Sequence, residues 1–146
     1  MPLFTIKHSI FINKPREIVW DYTQDYNLRT HWDKNVLKAT VLQFFPKRMI
    51  RLNFRGGTIM TLVYKMDERP VRTSLVARDI VSPIIESSGG SWNYEEYNAG
   101  TVWTQVNTIV FKNSFLTKIL QPLYRFMIKN QIIKSMKKAK DNIEKL

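Results

Sequence analysis

His8 and His31 are the only histidines in the chain, and cysteine is absent. Thiolate chemistry, disulfides and cysteine-ligated metals are therefore excluded. Two histidines without carboxylates at matching spacing do not make a metal site, so no metal and no other cofactor is expected. Glu95 and Glu96 are adjacent on an expected strand. They point to opposite faces and do not share a proton. Neither a glycine-rich phosphate loop nor a nucleophile elbow is present. No catalytic residue is assigned on these grounds.

What remains is a set of aromatic and polar residues on otherwise apolar segments: Tyr64, Trp92, Tyr94, Trp103, Gln105 and Asn107. Pockets for organic molecules combine apolar walls with a few placed polar groups. These residues suit such a wall if they point inward. Parity alone leaves two faces open for Gln105 and Asn107, cavity or solvent. His8 shares a strand face with Phe4, Ile6 and Ile10. It reads either as a satisfied core histidine or as a ligand-facing hydrogen-bonding group.

The elements that must position these residues follow from periodicity. Phe4 to Ile12 alternates apolar and polar, which predicts a half-buried strand. Asn13 is the expected cap of a first short helix, with Pro15 at its opening, and a second short helix is expected over Tyr26 to Trp32. Strands are predicted over 34–44, 48–55, 60–66, 72–81, 91–98 and 101–111, with Gly56-Gly57 at a tight hairpin. Asp79 to Gly90 contains Pro83 and Ser87-Ser88-Gly89-Gly90 and reads as a bend or bulge at a sheet edge. After a turn or two of helix at 114–120, the main helix is expected from Pro122 onward. Its first half is apolar nearly all round, so it should be buried on most sides. Leu123, Phe126, Met127 and Ile133 are expected to meet Leu62 and Tyr64, in which case Phe126→Ala costs about 3–5 kcal/mol.

The bulk numbers set the frame. A chain of 146 residues with 44% hydrophobic and 12% aromatic residues fits a single folded domain over 1–146. No stretch reaches the ~18 apolar residues of a membrane span, and the opening residues lack a signal-peptide pattern; the cytoplasm is the expected location. The formal charge of +11 is concentrated near the C-terminus, in Lys134, Lys137, Lys138, Lys140 and their neighbours. That basic helix makes an anionic membrane surface a candidate partner. Charge without a recognition motif gives no reason to expect specific nucleic-acid binding.

The order of elements is strand, two short helices, six strands and a long C-terminal helix. Together with Ile10-Phe-Ile-Asn-Lys-Pro-Arg-Glu-Ile-Val-Trp20-Asp-Tyr and Arg29-Thr-His-Trp-Asp33, this resembles the START-like (SRPBCC) superfamily, in particular its polyketide cyclase/dehydrase-type members. The resemblance implies an α+β helix-grip fold, a curved seven-stranded antiparallel sheet around the long helix. It also implies a cavity between sheet and helix for a small hydrophobic molecule. Trp20, Trp32 and Asp33 read as structural, the indoles filling the helix–sheet junction and the carboxylate capping backbone amides. The expected ligand-binding set is His8, Leu62, Tyr64, Tyr94, Trp103, Gln105, Phe126 and Met127, with the cavity mouth near Ser87–Gly90 and the second short helix. A binder or carrier is the leading reading. A cyclase or dehydratase using His8 or Tyr64 as acid/base is the alternative, and a protein- or membrane-interaction module a third.

Overall fold

The computed structural model describes residues 3–146. β1 (Leu3–Ile12) is followed by α1 (Arg16–Gln24) and α2 (Arg29–Trp32). Then come β2 (Val36–Gln43), β3 (Met49–Phe54), β4 (Ile59–Glu68), β5 (Arg72–Val81), β6 (Ile85–Tyr97), β7 (Gly100–Phe111) and α3 (Phe115–Glu144). The strands form one antiparallel sheet in the order β1-β7-β6-β5-β4-β3-β2. β1 and β2 are therefore its two edges, and α1 and α2 join them. Two brief helices spanning from edge to edge require a sheet that curls toward them. They close one end of the curl, and α3 lies along its concave side.

Alternation places the inner face as expected. On β1, Phe4, Ile6, His8, Ile10 and Ile12 are less exposed than the residues between them. On β7 the inward set is Thr101, Trp103, Gln105, Asn107, Ile109 and Phe111, which resolves the open question for Gln105 and Asn107 in favour of the interior. The curl has local causes. Register shifts interrupt the β2–β3, β4–β5 and β6–β7 ladders. One of them accommodates Asp79, whose φ is +50°.

Four local expectations are corrected. Asn13 does not cap α1: the cap position is Pro15, in extended conformation, with no side-chain bond. The Asn13 amide instead donates to Glu144 Oε2 at 2.8 Å. α2 begins at Arg29 rather than Tyr26 because Asp25 captures the Asn27 amide (3.0 Å) and sets a turn first. Ser87–Gly90 is not an edge or a loop but the middle of β6, between β5 and β7. A Cβ on Gly90 would lie 2.7 Å from the Val106 carbonyl oxygen, so glycine is required there by close backbone approach. Finally, α3 is continuous through Pro122 and starts at Phe115, with Ser114 Oγ accepting from the Thr117 amide at 3.1 Å. Proline removes one intrahelical donor, but the helix continues on both sides of it.

The dry core lies under the second half of α3. Met136, Ala139 and Ile143 pack with Ile12, Val19, Trp20, Trp32, Trp92, Tyr94 and Trp103, all at most 8% exposed. The indoles of Trp32, Trp92 and Trp103 meet pairwise with centroids 5.3–6.0 Å apart, in the tilted and edge-on arrangements aromatic rings favour. Lys140 Nζ donates to the Phe11 carbonyl at 2.7 Å and ties this half to β1. The first half is different. Phe115, Leu116, Ile119, Leu123, Phe126 and Met127 are 44–81% exposed. Leu123 and Phe126 thus project outward and not onto Leu62 and Tyr64. A segment apolar on every side carries no periodic signal to say which side packs, and this one packs on only part of its circumference.

Candidate ligand cavity

Because the first half of α3 bridges the curled sheet without sinking into it, a cavity of about 420 Å³ remains between them. Its apolar wall comes from the inward positions of β3 and β4, including Leu52, Met60 and Leu62, and from Met127 and Ile128 on α3. Ser88, Gly89 and Gly90 form part of the opposite wall. Small residues at mid-strand leave room there that larger side chains would fill. Gln105 and Asn107 line the cavity beside them. Asn107 Nδ2 donates to Gln105 Oε1 at 3.0 Å. The Gln105 NH₂ group has no partner among the described residues, so it is a donor available to a ligand.

Tyr64, Tyr94 and Trp103 stand beside the cavity and do not line it. The two tyrosine hydroxyls are already committed. Gln24 Nε2 donates to Tyr94 Oη (2.8 Å), and Gln24 Oε1 accepts from Arg48 (2.7 Å) and from Tyr64 (3.2 Å). With its proton given to Gln24, Tyr64 accepts from Tyr26. Thr23 donates to the Val19 carbonyl, so the Tyr94 proton goes to Thr23. Every proton in this buried network has a place, so the network stiffens the α1–sheet junction. Burial pushes the pKa of Tyr94 and Tyr64 up, and for Tyr64 the neighbouring Tyr26 adds to the rise. Both stay neutral at physiological pH. Trp103 is fully buried, and its Nε1 has no partner among the described residues.

His8 is half-buried on β1 opposite Gln105 and does not line the cavity. Phe126, 68% exposed, faces away from it. Of the eight residues expected from sequence, the structure places Leu62, Gln105 and Met127 in the cavity wall. Ser88, Gly89 and Gly90, expected near the mouth, line the cavity, as do Gly56 of the β3–β4 hairpin and Pro83 of the β5–β6 turn.

Arg29 is the charged residue of the cavity wall that the sequence did not single out. It lines the cavity, is 9% exposed, and gives Nε and Nη2 to Asp33 Oδ2 at 3.0 Å each. Its guanidinium stacks over Trp32 at 4.7 Å and Trp92 at 5.3 Å. Burial works most strongly against its charge, but the Asp33 carboxylate together with Tyr26 and Tyr64 outweighs that, and its pKa is raised. An arginine and an aspartate four apart on a short helix were the available signal, and i,i+4 pairs are usually surface features. Among the described residues no three His, Asp or Glu side chains come together as a metal site, and no helix is long and apolar enough to cross a membrane.

No known protein-family model matches the sequence, and no curated protein matches it. Solved structures do. Zhui aromatase/cyclase from a Streptomyces species aligns with a TM-score of 0.85 at 13% identity, over 98% of this chain and 94% of that one. TTHA0849 from Thermus thermophilus aligns at 0.84 and 14%, over 96% and 97%. Ara h 8.0201 aligns at 0.73 and 9%, over 99% and 100%. Identities this low show the fold. The chain has the helix-grip fold.

Proposed function

We propose that the protein binds and carries a small, largely apolar molecule in the cavity under α3. The observation that carries this reading is the cavity itself: an apolar chamber with an arginine–aspartate pair and a few carboxamides, Gln105 with a free NH₂ group among them, in its wall. That is the composition of a site for an organic ligand with a polar end. Aromatase/cyclases share the fold, but the acid/base candidates for such chemistry, His8 and Tyr64, do not line the chamber, so binding without catalysis is the reading favoured here. The test is displacement of a neutral flat dye, 1-aminoanthracene, in wild type and Leu62→Trp. The indole should fill the chamber and weaken binding at least about tenfold, while changing the unfolding free energy by no more than about 1 kcal/mol. A Leu62→Trp protein destabilised by several times that amount would mean the space is already filled.

A second reading has its own observation. At about 100° per residue, Phe115, Leu116, Ile119, Leu123, Phe126 and Met127 fall on about one third of the α3 circumference, and Lys118 and Lys129 lie along one edge of it. An exposed apolar face edged by lysine fits the interface of an anionic membrane, and Met127 belongs both to that face and to the cavity wall. Vesicle sedimentation should show wild type bound to phosphatidylserine-containing vesicles and Leu123→Glu/Phe126→Glu released from them. Retention of the double variant, or a concentration-dependent dimer that it abolishes, counts against the membrane.

A further inference from the structure

Beside the main chamber lies a second recess of about 340 Å³, between α2, the start of β2 and the second half of α3. The two adjoin: Asp33, Asn35, Gln131 and Ser135 line both. The chemistry of the recess is unlike that of the chamber. Lys34, Lys134, Lys137 and Lys138 line it, opposed by Asp141 and by Asp33, whose carboxylate is already held by Arg29. None of the four lysines makes an ion pair among the described residues. Trp32 forms part of the wall, is 1% exposed, and its Nε1–H has no partner among the described residues. That N–H is fully buried, so it is not a donor that an anion in the recess can reach.

We infer that this recess takes the anionic head, carboxylate or phosphate, of an amphipathic ligand whose apolar body fills the chamber. The inference rests on the cavity reading above. Lys134, Lys137 and Lys138 recur at the i, i+3, i+4 spacing that puts them on one helix face, and Lys34 comes from the other wall. An anion between them supplies the counter-charge the lysines lack. The side-chain amide of Asn35, which has no partner among the described residues, can also donate to it. The apolar body selects for size and shape; the head selects for charge.

The test compares dodecanol, dodecanoate and dodecyl phosphate by dye displacement, below their micellar concentrations. Three proteins are needed: wild type, Lys134→Gln/Lys137→Gln/Lys138→Gln, and a control with three exposed lysines elsewhere replaced, Lys7→Gln/Lys47→Gln/Lys65→Gln. Wild type should bind both anions about tenfold or more tighter than the alcohol, and the gap should close to about threefold at about 0.5 M salt. The recess variant should show the same narrowing at low salt, with dodecanol affinity unchanged. The control variant should keep the gap. Equal affinity for all three ligands overturns the inference, as does a gap that narrows equally in the control, since that is attraction by the overall charge. A carboxylate advantage without a phosphate advantage, or the reverse, supports the recess and fixes the head group. If none of the three ligands binds, the cavity reading fails and this inference with it.

Discussion

Asp33→Ala is expected to lower the unfolding free energy by about 3–5 kcal/mol, because it strips a buried arginine of its only carboxylate. Arg29 donates twice to Asp33 Oδ2, and the other carboxylate oxygen accepts from the Asn35 amide at 3.2 Å. Most of the loss comes from the cation left behind in an aromatic and apolar setting, not from the bond itself. A compensating change should therefore recover most of it. Arg29→Met/Asp33→Ala keeps an apolar side chain against Trp32 and Trp92 and removes both charges, so it should be far closer to wild type than Asp33→Ala alone. Urea unfolding of the two variants decides. If Asp33→Ala costs less than about 1 kcal/mol, water in the cavity solvates the guanidinium, and Arg29 belongs to the ligand site rather than to the framework.

The contrast between Leu62 and Arg29 shows which features a sequence discloses. Leu62 falls at period two with Met60 and Tyr64, which gives its inward direction, although Thr61 and Val63 between them are buried as well. The same logic located the inner face of β1 and the antiparallel order, because each short connection forces neighbouring strands to pair. Arg29 offered no such handle. Its burial depends on α1 and α2 crossing between the sheet edges, a tertiary fact that four helical residues do not encode. Gly89 and Gly90 misled for the opposite reason. Local rules read glycine pairs as turns, but here the missing side chains admit the Leu75 and Val106 carbonyl oxygens at distances a Cβ would crowd. The hydroxyls of Tyr64 and Tyr94 looked available to a ligand because their partners, Gln24 and Thr23, lie some forty and seventy residues away in sequence.

The packing beneath the two halves of α3 gives the last expected result, a pair of aromatic truncations, Trp103 on β7 and Phe126 on α3, with opposite outcomes. Trp103→Ala should cost about 3–5 kcal/mol. Its indole is fully buried and meets Trp32, Trp92 and Tyr94 at centroid distances of 5.7, 5.3 and 6.3 Å. None of those neighbours can collapse into the space, since each is held by its own strand or helix. Phe126→Ala removes a ring of similar character from the same apolar-looking segment family, yet the ring is 68% exposed. The change should stay within about 0.5 kcal/mol, as at surface positions generally. Thermal or urea unfolding of both variants at matched concentration makes the comparison. Dilution adds a control: a Phe126 ring buried between copies of the chain would make its cost grow with protein concentration, whereas the Trp103 cost should not depend on it. A Phe126→Ala cost approaching that of Trp103→Ala in dilute solution would mean the first half of α3 packs down onto the sheet, closing the very space in which the ligand is proposed to sit.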